Sequence, residues 1–228
     1  MKQTLSSGLR VKKARVKTAK GREASSTRWI QRQINDPYVL EAQKQGYRAR
    51  SAFKIIELNE RFHLFKKGAK VVDLGAAPGG WTQVIIKLIG SDKDNPRVTA
   101  LDILPMEPID GAKIITMDFM KPEAPLLLKE ATNGPVDAVV SDMAANTTGN
   151  HEVDHIRIME LVTEAYHFAT EVLNEGGVFV AKVFQGGTEG RLLAEIKRSF
   201  REVKHAKPLS SRKESSEFYL IAKGFHKK

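Results

Sequence analysis

Apolar residues along this chain of 228 residues fall into two alternating patterns. Short runs at Val71–Leu74, Val98–Leu101, Lys113–Met117, Val136–Ser141 and Gly177–Val183 have the length and composition of strands in a covered sheet. Between them the apolar spacing changes to three and four. That change predicts a helix from Trp81, another around Glu123–Ala131, a long one from about Asp154 to Leu173, and one over Glu189–Phe200. Strand followed by helix, repeated, is the pattern of a doubly wound parallel α/β sheet. Two helices are predicted ahead of the sheet: Asp36–Gly46, closed by Gly46, and Arg50–Arg61, with Phe53, Ile56 and Leu58 apolar. After the last helix, Glu202–Lys207 and Phe218–Lys223 read as extended runs joined by the Ser/Lys/Arg-rich loop Leu209–Glu217. No internal repeat interrupts the series.

Charge divides the chain unevenly. Residues 1–35 hold ten Lys and Arg against Glu23 alone, which is nine of the ten net positive charges. With little apolar material before Trp29, this segment cannot bury enough surface to fold alone, and it reads as a polyanion-binding arm for RNA. A mitochondrial transit peptide shares the same Arg/Ser-rich, acid-poor character and stays open as an alternative. Residues 36–228 are expected to form a single domain. No apolar run approaches the ~20 residues that span a bilayer, which argues against a membrane protein. The absence of cysteine excludes disulfides and thiolate metal sites, and agrees with a reducing, cytoplasmic location.

The densest chemical signal is Asp73-Leu-Gly-Ala-Ala-Pro-Gly-Gly-Trp81, between the apolar run Ala69–Val72 and the amphipathic run Thr82–Ile89. A strand, a glycine turn and a helix let backbone approach a ligand closely, and they aim free N–H groups and a positive dipole end at it. A nucleotide-like cofactor fits such a turn, although the spacing departs from the G-x-G-x-x-G dinucleotide fingerprint. In open α/β sheets ligands lie beyond the carboxyl ends of the strands. Asp73, Asp102, Asp118 and Asp142 all fall at or just past strand ends, and Lys182 sits near the end of the fifth strand. Any one acid there is more often a cap or loop residue; the set together points to a site. Asp102, at the end of the second strand, has the position of an acceptor for ribose hydroxyls. Lys182 lies in the apolar run Val178–Phe184, where a charge needs a partner.

Lys54 in Ser-Ala-Phe-Lys, the Asp73–Trp81 turn, Ser141-Asp-Met-Ala-Ala-Asn146, Lys182 in Ala-Lys-Val-Phe-Gln-Gly and Glu217 in Ser-Ser-Glu-Phe-Tyr occur in order from about Asn35 onward. Together they resemble the FtsJ/RrmJ family of S-adenosylmethionine-dependent RNA ribose 2′-O-methyltransferases. The resemblance implies a Rossmann-like, mostly parallel seven-stranded sheet whose last two strands form an antiparallel edge hairpin. It further implies that Gly79 and Trp81 enclose the methionine end of S-adenosyl-L-methionine, Asp102 its ribose and Asp118 its adenine amine, with Phe119 beside the ring. Lys54, Asp142, Lys182 and Glu217 then form the catalytic set, Asp142 also touching the cofactor. The implied substrate is a uridine ribose in large-subunit (23S) ribosomal RNA, modified by a monomer within the ribosomal particle. A free lysine is protonated at neutral pH, so one that takes the hydroxyl proton must first have its pKa lowered by burial or by neighbouring positive charge. Ala145 stands where the family motif has proline, which leaves the loop to Asn146 without that constraint.

Four other readings compete. His151-Glu-Val-Asp-His155 satisfies H-E-x-x-H, and Glu175 lies twenty positions further on, where some zinc proteases carry a third ligand. Gly149-Asn150 just before it puts both histidines at the start of a crossover helix, and no metal is expected. A tRNA methyltransferase of the same family and a non-catalytic RNA-binding ribosome-assembly factor both suit the basic segment. The glycine spacing disfavours the fourth, a nicotinamide oxidoreductase. Arg48, Arg50 and the Arg212-Lys213 pair are expected to contact RNA phosphates.

Overall fold

In a computed structural model, which describes residues 24–145, 148–184, 190–212 and 214–227, three helices precede the sheet. These are α1 (Ala24–Ile34), α2 (Pro37–Lys44) and α3 (Ala52–Phe62). Asp36 caps α2, accepting from the Tyr38 amide at 3.0 Å, and Pro37 supplies the first helical residue without needing a donor. Helix α1 occupies the last third of the basic segment, which the composition gave no helix; Ile30 and Ile34, four apart, are both partly buried there.

The remaining elements alternate: β1 (Val71–Leu74), α4 (Gly80–Ile89), β2 (Val98–Asp102), β3 (Ala112–Thr116), α5 (Ala124–Thr132), β4 (Val136–Ser141), α6 (His151–Val172), β5 (Leu173–Phe184), α7 (Gly190–Ser199), β6 (Phe200–Ala206) and β7 (Glu217–Phe225). The strands form one sheet in the order β3-β2-β1-β4-β5-β7-β6. Only β7 runs against the others: it pairs antiparallel with both β5 and β6, so the expected hairpin is present with β7 inside and β6 at the edge. Helix α6 begins at His151 because Asn150 accepts from the Glu152 and Val153 amides, three residues ahead of the predicted start. The segment expected to be helical from Glu189 is described from Gly190 onward.

The pleat sorts each strand between two cores. Val72, Leu74, Val139, Phe179, Ala181, Leu220 and Ala222 face α5, α6 and α7. Val71, Val98, Ala138, Val140, Val178, Val180, Tyr219 and Ile221 face α3 and α4. Continuing the second set by two residues toward the carboxyl ends of the parallel strands reaches Asp73, Asp142 and Lys182, all on the α3/α4 side. Strand order reverses between β1 and β4, and the loops beyond that point approach so closely that a Cβ on Gly75 would lie 2.7 Å from the Met143 amide nitrogen.

Candidate active site

A cleft of about 340 Å³ opens beyond the carboxyl ends of β1, β2 and β4. Gly75, Leu101, Asp102, Asp118, Phe119 and Met143 are among its lining residues. Backbone donors fix the two acids: Asp102 accepts from the Ala77 amide at 2.9 Å and the Leu104 amide at 2.8 Å, and Asp118 from the Met120 amide at 3.0 Å. A carboxylate has about four acceptor positions, so each keeps capacity for a hydroxyl or amine. The cleft therefore suits a nucleoside: two oriented acceptors, an aromatic ring and glycine backbone. Gly79, at φ 108° just before α4, has a backbone conformation that L side chains rarely adopt, which is what glycine supplies there.

Beside the cleft, four residues far apart in sequence join through a fifth. Lys54 Nζ donates to Glu217 Oε2 at 3.0 Å and to the Tyr219 hydroxyl at 3.1 Å. The Tyr219 hydroxyl donates to Asp142 Oδ1 at 2.7 Å, and the same Oδ1 lies 3.2 Å from Lys182 Nζ. Lys182 also donates to the Asp142 carbonyl at 2.5 Å. The result is one chain of polar contacts, Glu217–Lys54–Tyr219–Asp142–Lys182. Lys182 is 6 % exposed and Tyr219 is 0 % exposed, so the chain sits in a low-dielectric pocket that strengthens each contact. Burial works to raise the Glu217 pKa, but the Lys54 and Lys182 charges outweigh it and hold the carboxylate below its ordinary value. Burial, then the Asp142 and Glu217 charges, push the Tyr219 phenol well above its ordinary value, so it stays a donor and is unfit to be the base.

Tyr219 was in the motif read from sequence but had no role there. The signal was period two: Tyr219 lies two residues after Glu217 on a strand, hence on the same face, and it pairs across the sheet with Lys182. Trp81 takes a position its motif did not reveal. Its indole is 2 % exposed, packs on Tyr219 with ring centroids 5.5 Å apart, and donates from Nε1 to the Ser51 carbonyl at 2.9 Å. Ser51 precedes the helix that carries Lys54, so the side chain of Trp81 braces the start of that helix.

The arginines read as phosphate contacts are engaged within the protein. Arg48 donates to the Glu107 carbonyl at 2.7 Å, the Pro108 carbonyl at 2.8 Å and the Pro78 carbonyl at 3.3 Å, tying the segment after β2 over the glycine turn. Arg50 binds Asp36 at 2.8 Å and the Ser210 carbonyl, and Arg212 reaches the same Asp36 carboxylate at 3.4 Å. The buried Asp36 carboxylate holds Arg50 and Arg212 by charge-assisted contacts, whereas the Arg48 contacts lie at the surface. Lys213 and Asn146 lie outside the described residues, as do residues 1–23. Glu175 accepts from the Lys227 amide beyond the far end of α6. The helix runs several turns, at about 1.5 Å per residue, between His155 and the end where this carboxylate sits, so Glu175 is out of reach of a zinc ion held by His155.

A glycine turn at the strand-order reversal, acids at the ends of β2 and β3, and a lysine–carboxylate chain beside them are the features expected of a Rossmann-like methyltransferase. The comparisons agree. Residues 47–225 match the model of the FtsJ-like methyltransferase family. The chain is 57 % identical over 211 residues to ribosomal RNA large subunit methyltransferase E of Rhizorhabdus wittichii, covering 92 % of this chain and 90 % of that one. It is 58 % identical over 212 residues to the protein of the same name in Rhodospirillum rubrum, covering 92 % and 81 %. Among solved structures it resembles a chain described as a ribosomal RNA methyltransferase of Plasmodium falciparum, at 30 % identity and TM-score 0.69, over 80 % of this chain and 100 % of that one. The chain belongs to the FtsJ-like methyltransferase family.

Proposed function

We propose that this protein transfers a methyl group from S-adenosylmethionine to the 2′-hydroxyl of a uridine ribose in 23S ribosomal RNA, acting as a cytoplasmic monomer on the large ribosomal subunit. The relatives' shared name supports the substrate. The observation that carries the chemistry is the Glu217–Lys54–Tyr219–Asp142–Lys182 chain beside a nucleoside-shaped cleft.

The bound cofactor supplies an electrophilic methyl on a sulfonium. Asp102 accepts from its ribose hydroxyls and Asp118 from its adenine amine, with Phe119 beside the ring. Gly79 and Trp81 would enclose its methionine end, and Asp142 would also hold it. Lys182 is the group that orients the ribose hydroxyl, and it takes the hydroxyl proton after giving up its own ammonium proton to solvent. Lys54 holds the far side of the hydroxyl's pocket, and Glu217 and Tyr219 fix Lys54 and Asp142 in register. Displacement at a methyl needs oxygen, carbon and sulfur in line, and alignment of this kind accounts for much of an enzyme's rate advantage. Lys182, Glu217 and Tyr219 sit on the paired strands β5 and β7, Asp142 directly follows β4 and Lys54 is on a packed helix, which gives the rigidity that such alignment needs.

Replacing Asp102 by Ala weakens S-adenosylmethionine binding by roughly 1–3 kcal/mol, because buried ribose hydroxyls lose their acceptor. Titration calorimetry reads this directly, and an unchanged dissociation constant removes Asp102 from the cofactor site.

The substrate reading is tested by following labelled methyl transfer to large subunits, to naked 23S RNA and to tRNA, with the modified nucleotide mapped afterwards. Methylation confined to tRNA overturns it. The same assay examines the basic segment, assigned here to RNA. Protein lacking residues 1–35 binds the particle more weakly, and the difference shrinks as salt rises, because each phosphate neutralised contributes about 0.7–0.9 to the logarithmic salt slope. Equal affinities and equal slopes for both proteins rule out an RNA-binding arm.

A further inference from the structure

Asp73, at the carboxyl end of β1, has no part in the roles above, yet it is 0 % exposed. Its Oδ2 accepts from the Thr82 hydroxyl on α4 at 2.7 Å. Its Oδ1 is buried and has no hydrogen-bond partner among the described residues. An ionised carboxylate in such a place calls for a cation or several donors. The charged groups that face it are of its own sign: Asp102 at the end of β2 and Asp142 just past β4. The lysines of the site are engaged elsewhere, Lys54 on Glu217 and Lys182 on Asp142. Three carboxylates gather around the glycine turn, and one oxygen of Asp73 has no donor among the described residues.

We propose that Asp73 is a charge sensor for the cofactor: it carries a proton in the free protein and releases it when the cationic cofactor fills the cleft, so that the site holds S-adenosylmethionine more firmly than its demethylated, uncharged-sulfur product. The inference rests on the cofactor site proposed above. Burial raises the Asp73 pKa, the Thr82 hydrogen bond pulls it back, and the Asp142 and Asp102 charges raise it further, to about 7. A proton is thus available at neutral pH. Oδ1 is shielded from solvent, so the coupling needs no direct contact. It acts through space across the Gly75 turn, where low dielectric lets a nearby positive charge favour the ionised form. On binding, the carboxyl O–H breaks, its electron pair stays on Asp73, and the proton passes to the buffer. Once the methyl has left and the sulfur is neutral, part of the compensating charge is gone and the carboxylate regains a proton from solvent.

The sign of the stability effect follows from linkage. Asp73 binds its proton more tightly folded than unfolded. Its contribution is therefore complete below the ordinary carboxylate value of 3.8 and is lost progressively as pH rises through about 7. Asp73→Asn, of the same shape and never charged, escapes that loss. Its melting temperature gains on the wild type between pH 5 and pH 8 and gains no more above that.

The test is calorimetric titration of the full-length protein with S-adenosylmethionine and, separately, with S-adenosylhomocysteine, in two buffers of different ionisation enthalpy. At pH 7 the wild type releases about half a proton per S-adenosylmethionine bound and less with S-adenosylhomocysteine, and Asp73→Asn releases none. Apparent S-adenosylmethionine affinity of the wild type rises by up to about tenfold per pH unit below 7 and then levels, while the Asn variant has a flat profile. Binding without proton release between pH 6 and 8, or equal release with both ligands, overturns the proposal. Failure to bind S-adenosylmethionine at any pH overturns the cofactor reading itself.

Discussion

Lys182→Ala abolishes methyl transfer by about 10²–10⁴-fold in turnover while leaving S-adenosylmethionine affinity within about threefold of wild type. The lysine is assigned to the ribose hydroxyl and not to the cofactor, so the two readouts should separate. The fold tolerates the change. Lys182 sits in an apolar row with Val178 and Val180, and Asp142 keeps its bond from the Tyr219 hydroxyl when the ammonium is gone. Asp142 is also more exposed than Lys182, so the orphaned carboxylate can recruit water. Lys182→Met, which keeps the length of the side chain without the nitrogen, distinguishes loss of chemistry from loss of packing and is expected to be as inactive as the Ala variant. Turnover within tenfold of wild type in either variant, measured under single-turnover conditions, would remove Lys182 from the reaction.

Trp81→Ala destabilises the protein by roughly 3–5 kcal/mol, the range for deleting a buried aromatic and leaving a cavity. Its indole fills the space between α4 and α3, touches Tyr219 and closes on the Ser51 carbonyl, so the loss falls on the platform that holds Lys54. Trp81→Phe keeps most of the apolar volume and drops only the N–H. It is expected to cost about 1 kcal/mol and to leave cofactor affinity nearly unchanged, because the indole is engaged with Tyr219 and the Ser51 carbonyl. Urea unfolding with parallel cofactor titration checks both. A Trp81→Ala protein as stable as wild type but unable to bind S-adenosylmethionine would show that the indole is a ligand contact and not a brace.

Much of this molecule is local in origin, and the sequence by itself determined that part. Apolar runs at β1, β2, β4 and β5 have no alternative to burial on both faces, and the intervening three-and-four spacing can only close as helices packed on those faces. The glycine turn is likewise local: Gly75 and Gly79 adopt positive φ values that other residues avoid. Parity along a strand is enough to put Asp73, Asp142 and Lys182 on one side of the sheet, and Glu217 on the same face as Tyr219.

What only the tertiary structure decided was which polar groups find each other. A lysine on α3 is solvated unless packing of α3 on α4 brings it to β7, and no spacing in the chain encodes the 3.0 Å contact between Lys54 and Glu217, 163 positions apart. Arg48 and Arg50 look the same in sequence as surface arginines that grip phosphates. They act as internal braces because the fold brings the carbonyls of Pro78, Glu107 and Pro108 to Arg48 and the buried carboxylate of Asp36 to Arg50. Helix α1, short and basic, has too little apolar surface to be read from pattern. Burial of Asp73 with one oxygen unpaired is also a property of the assembled sheet, since Asp102 and Asp142 arrive beside it from strands that only the order β2-β1-β4 makes its neighbours. Local sequence fixes φ, ψ and facing within a few residues, whereas long-range polar pairing depends on desolvation, and desolvation exists only once the core has closed.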